Sequence, residues 1–493
     1  MYVLLRDSIF LFQIQKNISK TDEYEKKISF GDYEIKYCKS TPMMCSNADN
    51  RELFIYGYAV DVRDGDSELL AEKILKNSQT IDDILAYEYY LGGKYLLFYR
   101  DKNGLYVVPD ATASIPFCYS VGTEQVVCAS NSECIARELA LIPDKELVNI
   151  RKKSEISQAM PYNTTIYKEI EQLLPNHYFL LSEGKSVRIV ISKEKQTTLS
   201  FQEGAMQTSS YIENFLNYYK NRFKIYCPIT SGRDSRVILA YLLANKKQDE
   251  TIKTYTINHS FFSENEPDIV FPKQISDEMG VDYTQLSECI PTKELQDVFN
   301  NEFGDTNYSG QTLMIANTIK NACGDGAIIN GDIIGQVGKC SLHRDIFEFL
   351  ATPGYFRCKL HNYSHKSLYY IKSWIDEIKN ANEQVNLFDL FSVENRLGRW
   401  AAQENLIYNM IGQTYLNIFN SRCIIYTWTR VPRKERKFSK IHLCLIKQKY
   451  PSLLKIPFEP DSVIEKLAKA NGVFYYVASF AKYYIEKLRF KTK

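Results

Sequence analysis

Apolar and polar positions alternate in short runs along the first 190 or so residues. The stretches ELFIYGYAVDVR, GKYLLFYRDKNGLYVVPD, IPFCYS and EQVVCAS are aromatic and β-branched and are bounded by Gly, Asp and Asn. That is the pattern of strands. Asp101-Lys102-Asn103-Gly104 interrupts the second run and predicts a hairpin turn in which Gly104 supplies a positive φ. Glu183-Gly184 predicts a second turn within HYFLLSEGKSVRIVIS. Antiparallel sheet is expected throughout this part.

Around residues 193–205 the chain becomes polar and the period changes. EGAMQTSSYIENFLNYYKNRF has helical spacing of its apolar residues. It is followed by a strand (KIYCPIT), a helix (DSRVILAYLLANKK), a strand (IKTYTIN), a helix (EPDIVFPKQISDEMG) and a strand (VDYTQL). Later GQTLMIANTIKNAC reads as helix and GAIINGD as strand. Strands alternating with helices predict a parallel sheet with helices on both faces. From about residue 340 helical segments dominate, and no repeat or low-complexity tract interrupts them. The expected class is therefore α/β. Residues 1–195 form an antiparallel β-rich domain, residues 200–465 a parallel-sheet domain with a helical C-terminal part, and residues 466–493 an aromatic, basic, amphipathic helix. That helix is expected to pack on the domain surface, with a membrane surface or a partner as the alternative.

Composition narrows the function classes. With 493 residues the chain exceeds one ordinary core, and 45% apolar with 24% charged residues describes a globular protein. Lys and Arg number 61 against 59 Asp and Glu, so no global field recruits nucleic acid or a membrane. No run of apolar residues is long enough to span a bilayer. The twelve cysteines occur singly, without a C-x-x-C pair. The first residues, MYVLLRDSIFLFQIQK, are too charged for a secretory signal. Reduced thiols in a cytoplasmic protein are expected. His361-x-x-x-His365, with Cys358 upstream, has ligand-like spacing but no evident fourth ligand.

One interruption of the apolar pattern carries chemistry. FKIYCPITSGRDSRVILAYLLA breaks at Thr230-Ser231-Gly232-Arg233-Asp234-Ser235 and resumes at Val237. The break falls after a strand and before a helix, where ligands sit in parallel sheets. Small residues let backbone N–H groups approach an anion, and the helix N-terminus adds partial positive charge. Thr230, Ser231 and Ser235 bring hydroxyls, while Arg233 and Arg236 bring positive charge. The segment thus reads as a phosphate or pyrophosphate cradle. Asp234 would repel phosphate unless it holds Mg²⁺. A plain turn with Asp234 as helix cap uses the same residues.

TSGRDS resembles the S-G-G-x-D-S pyrophosphate loop of the ATP-pyrophosphatase superfamily, with Thr230 at the first Ser and Ser231 at the first Gly. Most of the chain resembles the asparagine synthetase family. YLGGKYLLFYRDKNGLYVVPDATASIPFCYS, VVCASNSECIARELA and TTIYKEIEQLLPNHYFLL are similar to its amidotransferase-like N-terminal domain. TYTINHSFFSENEPDIVFPKQISDEMGVDY is similar to the segment in which an acidic residue and a helix follow the second strand. IINGDIIGQVG occupies the place of VLSGDGGDELFGG, and FNSRCIIYTWTRVPRKERKFSKIHLCLIKQKYPSLLKIPF resembles the lysine-bearing C-terminal run. The resemblance implies an N-terminal sandwich of Ntn type and ATP-dependent amide formation through an acyl-adenylate, with ATP and Mg²⁺. It places Asp234 and Asp332 on the metal and pyrophosphate side. Thr230, Ser231, Gly232, Arg233, Ser235 and Gly331 fall around the nucleotide, and Lys440 on the transferring phosphate with Lys437 as its competitor.

Two departures matter. Members that hydrolyse glutamine carry a cysteine after the initiator Met, and here that position is Tyr2. The N-terminal domain is therefore expected to release no ammonia, as in beta-lactam synthetase and lasso-peptide cyclases, which also lack that cysteine. The amine would come from free ammonia, a separate donor, or an amino group on a larger substrate. The family's GDGGDE becomes Gly331-Asp332-Ile333-Ile334-Gly335-Gln336, losing two carboxylates, with Asp305 as a replacement candidate. The expected acceptor is a sugar or peptide carboxylate rather than aspartate. The runner-up is a degenerate relative acting as a nucleotide-binding scaffold or regulator.

Overall fold

A computed structural model describes residues 12–15, 25–38, 40–123, 126–152, 160–263, 265–303, 310–339, 351–360, 362, 364–459, 477, 481 and 485. The fold is mixed α/β, with antiparallel and parallel sheets and many helices. Asp305, Tyr2 and His361 lie outside the described residues, as does the C-terminal stretch apart from Val477, Ala481 and Ile485.

The N-terminal part builds two six-stranded antiparallel sheets. One runs Ile170–Gln172, Cys118–Ser120, Cys128–Ala129, Phe12–Gln15, Tyr33–Cys38, Glu25–Phe30. The other runs Lys185–Arg188, His177–Leu180, Gly104–Pro109, Leu91–Asp101, Arg51–Asp61, Met43–Ala48. The two-residue period explains why Leu91–Asp101 is apolar on both sides. Leu96 and Phe98 join a core with Phe30 and Ile35 of the facing sheet and with Phe117. Tyr95, Leu97 and Tyr99 point the other way, onto Leu70, Ile74 and Leu75 of the helix Leu70–Asn77.

The expected hairpin at 101–104 forms, with Asp101 paired to Gly104, but by other means. Gly104 does not have a positive φ. The Asp101 carboxylate instead accepts from the N–H groups of Asn103 (2.7 Å) and Gly104 (3.1 Å). A Cβ at Gly104 would lie 2.8 Å from the Cδ1 end of Leu180, so a side chain there requires Leu180 to shift. The turn at Glu183-Gly184 does form, and there Gly184 takes a positive φ of 63°.

The parallel sheet has the order Asp282–Ser287, Lys253–Asn258, Ile225–Pro228, Ala327–Ile329, Tyr415–Leu416, with every neighbouring pair parallel. Ile225–Pro228 is its centre. Pro228 is tolerated there because it ends the strand, where the missing N–H is no longer needed. The helix Asp234–Ala244 that follows is apolar all round, from Val237 to Leu243, and every one of those residues is buried. It packs beside the helices Phe201–Lys220 and Lys440–Lys449. The short last strand, Tyr415–Leu416, was not legible in the sequence and extends the sheet on the side of Asp332.

The two sheet systems meet through polar groups. Gly93 N–H donates to Asn420 O (3.1 Å), and the Asn420 amide donates to Gly93 O (2.6 Å) and to the Asp110 carboxylate (2.9 Å). Lys94 donates to the side-chain oxygens of Asn405 (3.0 Å) and Asn409 (3.1 Å). Buried Arg422 pairs with buried Glu88. Among the described residues no helix is long and apolar enough to cross a membrane. The described cysteines form no disulfide.

Candidate functional site

The central strand delivers the chain into the turn Thr230–Arg233, and Asp234 is the first residue of the helix. The turn is tied together from within. Thr230 N–H donates to the Ser235 hydroxyl (3.2 Å), and the two hydroxyls lie 3.1 Å apart. Gly232 N–H donates to the Thr230 hydroxyl (3.2 Å). Ser231 gives both its N–H (2.8 Å) and its hydroxyl (2.6 Å) to one oxygen of Asp268. Asp268 opens the helix Pro267–Met279 after the second strand. The resemblance drew attention to an acidic residue in that segment without picking this one.

Asp234 is held on three sides. Its Oδ1 lies 2.8 Å from Nε2 of wholly buried His442. A Cβ on Gly331 would come within 3.1 Å of its Cβ, and one on Gly335 within 2.9 Å of Oδ2. The two glycines therefore let the end of the strand Ala327–Ile329 and the π-helical turn Ile334–Gly338 close onto this carboxylate. Burial alone would raise its pKa. The hydrogen bond and charge of His442, with the charges of Lys339 and Arg233, instead hold it below the usual carboxylate value.

Asp332, next to Gly331 in sequence, lies within electrostatic reach of Asp234. Burial pushes its pKa up to about 6; the hydrogen bond from the Tyr415 hydroxyl (3.2 Å) opposes this and the Asp234 charge adds to it. The structure thus brings Asp234, Asp332 and Gly331 together with Ser231, Gly232 and Ser235 of the turn. Glu404, on the helix Ala402–Met410, is a third carboxyl in this electrostatic neighbourhood. Burial, reinforced by the Asp332 charge, raises it to about 8. Tyr415 stacks on Tyr408 at 4.3 Å.

The cations are placed differently from the sequence expectation. Arg236 does not face an anion. Its guanidinium is wholly buried and donates to the carbonyls of Ile456 (2.7 Å) and Pro457, with Phe458 stacked at 4.1 Å. It clamps the segment after the helix Lys440–Lys449 against the turn, where Glu459 N–H donates to Ser231 O (3.2 Å). Arg233 also lies over Phe458, at 4.9 Å. Lys440 directs its ammonium to Glu435 (3.5 Å) and the Phe201 ring (5.1 Å), and Lys437 lies over Phe438. The residue of that helix that reaches Asp234 is His442. Positions i and i+2 do not share a helix face, so Lys440 and His442 point in different directions. No spacing in the sequence singled out His442.

Among the described residues no three His, Cys, Asp or Glu side chains gather as a metal cluster. Mg²⁺ needs only one or two protein carboxylates when phosphates and water complete its shell. His442 occupies one oxygen of Asp234 and Tyr415 one oxygen of Asp332, leaving the second oxygen of each outside these bonds. That donor set suits a cation shared with phosphate.

No family model and no curated protein matches the chain. Among solved structures it is similar to glutamine phosphoribosylpyrophosphate amidotransferase from B. subtilis complexed with ADP and GMP, at 13% identity and a TM-score of 0.24. That match covers 60% of this chain and 66% of the other. A structure described as the allosteric regulatory enzyme of purine biosynthesis is similar at 12% identity and a TM-score of 0.24, covering 66% of this chain and 69% of the other. Likeness at that TM-score supports no inference about activity.

Proposed function

We propose that the chain is an ATP-dependent, amide-forming ligase resembling asparagine synthetases, with an N-terminal sandwich of amidotransferase type that supplies no ammonia of its own. The observation that carries this reading is the convergence of Asp234 and Asp332 where the central parallel strand passes into its helix, with Gly331 and Gly335 keeping that corner tight. A substrate carboxylate attacks the α-phosphate of ATP, the bond to the β-phosphate breaks, and pyrophosphate leaves. An amine then attacks the acyl carbon, loses a proton, and AMP departs. Magnesium, when bound, neutralises charge on the pyrophosphate.

The chain's own groups divide the remaining work. Asp234 and Asp332 would hold the metal, and His442 fixes the orientation of Asp234. Ser231, Gly232 and Ser235 shape the turn against the phosphates, with Thr230 bracing it and Arg233 at its side. A role for Lys440 on the transferring phosphate requires its ammonium to leave Glu435 and the Phe201 ring. The acceptor is a sugar or peptide carboxylate.

ATP–pyrophosphate exchange with uronic acids and peptide acids tests the reading, comparing wild type with Asp234→Ala. Exchange is expected only in the wild type, and equal exchange in the variant would overturn the assignment.

A second reading, a degenerate relative acting as a nucleotide-binding scaffold or regulator, is favoured by the two carboxylates missing from Gly331-Asp332-Ile333-Ile334-Gly335-Gln336. A scaffold would show a thermal shift with ATP and Mg²⁺ and no exchange with any acid.

A further inference from the structure

A second cavity, of about 240 Å³, lies where the N-terminal sheets meet the helix Ser367–Asn380. Tyr119, Tyr162 and Asn163 line it with Glu171, from the edge strand Ile170–Gln172, and Glu377, from that helix. Sites for drug-sized ligands span about 300–1,000 Å³, so an occupant here is small.

The two carboxylates differ in how they are paired. Glu377 receives Arg188 at 3.0 Å and the Tyr162 hydroxyl at 3.2 Å, and lies 3.1 Å from Nε2 of His177. Burial would raise its pKa, but the hydrogen bond and charge of His177, with Arg188, bring it down to about 2. Glu171 accepts from the Tyr119 hydroxyl at 2.8 Å and from the Asn163 amide, and among the described residues no cation pairs with it. Burial therefore raises its pKa; the two hydrogen bonds oppose this and the Glu377 charge adds to it. Lys185, at the exposed rim, is paired with Glu183.

The lining offers acceptors whose own protons are committed. Tyr119 and Tyr162 each give the hydroxyl proton to a carboxylate, so towards a ligand these oxygens can only accept. A carboxylate has about four acceptor positions, and Glu171 uses two of them. Tyr162 is fixed in this wall at a φ of 57°, rare for a bulky residue, with its N–H donating to Asn395 Oδ1 at 2.9 Å. A primary ammonium has three donors and no acceptor, and aromatic rings beside a carboxylate favour an organic cation.

We propose that this cavity binds a small primary ammonium compound, with Glu171 as its counter-ion and the two tyrosine hydroxyls as further acceptors. Calorimetric titrations with propylamine, ethanolamine, propanol and propionate, at neutral pH, constant ionic strength and without ATP, test it independently of the ligase reading. Saturable binding is expected for one or both amines and none for propanol or propionate. Glu171→Gln keeps the shape of the side chain and an acceptor for Tyr119. It should weaken the amine at least about tenfold, the scale of a hydrogen bond to a charged group, with thermal unfolding used to verify the fold. Lys185→Gln, at the rim, should bind the amine at least as tightly as wild type, and Asp234→Ala should leave binding intact. Absence of saturable binding for both amines, propanol binding as tightly, or undiminished binding in Glu171→Gln would each overturn the proposal. So would weaker binding in Lys185→Gln or its loss in Asp234→Ala.

Discussion

Nε2 of His442 lies 2.8 Å from Oδ1 of Asp234, joining the helix Lys440–Lys449 to the first residue of the helix after the central strand, 208 positions away in sequence. Hydrogen bonds to charged groups contribute about 1.5–3 kcal/mol. His442→Ala should therefore lower stability by roughly that amount in urea unfolding. His442→Gln, which keeps a donor, should recover part of it. ATP–pyrophosphate exchange should fall further in the Ala variant than in the Gln variant. Equal effects of the two on exchange would show that the bond does not orient Asp234.

The depressed pKa of Asp234 has a signed consequence. Stability from a carboxylate whose folded pKa is lowered is complete above its unfolded value, about 3.9. It is lost as the pH falls through the lower folded value. Wild type should lose melting temperature more steeply below about pH 4 than Asp234→Asn does. Parallel acid limbs would contradict the coupling.

Asp332 predicts the opposite sign. Its folded pKa of about 6 lies above the ordinary value of 3.8, so the native state binds the proton more tightly. Stability is then greatest below the unfolded pKa and declines as pH rises to the folded one. Asp332→Asn should raise the melting temperature at neutral pH, and the difference should vanish below about pH 4. A variant destabilised at neutral pH would mean that the hydrogen bond from Tyr415 outweighs the burial cost.

Gly335→Ala places a methyl group 2.9 Å from Asp234 Oδ2, closer than such atoms settle, so the carboxylate or the π-helical turn must shift. Exchange activity should drop more than stability does, with the melting temperature reporting the latter. Retention of full exchange would show that the position of Asp234 is not critical.

What could be read from the sequence followed from how local each cause is. The run Leu91–Asp101 was legible because strand periodicity and aromatic content mark it without reference to any other segment. The turn Thr230–Asp234 was legible because small polar residues interrupt two apolar runs. Arg236 was counted among the positive charges of the turn, and its partners, the carbonyls of Ile456 and Pro457, were hidden because they lie more than two hundred residues away. His442 was hidden for a related reason: helix geometry, not composition, decides that it and not Lys440 faces Asp234. At the 101–104 hairpin the turn itself was legible, but Asp101 and the packing of Leu180 account for the sequence there, not the φ of Gly104. Of the carboxyls that act on one another here, Asp234 and Asp332 were legible, while Glu404 arrives from a helix that no motif connects to them.

The contact between the two sheet systems gives a last prediction. Arg422 and Glu88 are 1% exposed each and form a buried ion pair, with the Tyr95 hydroxyl also donating to Glu88 at 2.8 Å. Burial raises the Glu88 pKa to about 7 even though Arg422 opposes it, which shows how costly this carboxylate is to hold charged. Removing one partner leaves the other charge stranded, a loss of about 3–5 kcal/mol, whereas replacing both with apolar residues of similar volume is often neutral. Arg422→Met should therefore unfold at a much lower urea concentration than wild type. Glu88→Gln should be milder, because a neutral amide keeps part of the hydrogen bonding. The double variant Glu88→Leu, Arg422→Met should recover most of the loss of the Arg422→Met single variant. If the double variant is as unstable as the sum of its parts, the pair acts through separate contacts with Tyr95 and Pro109 and not through its mutual charge.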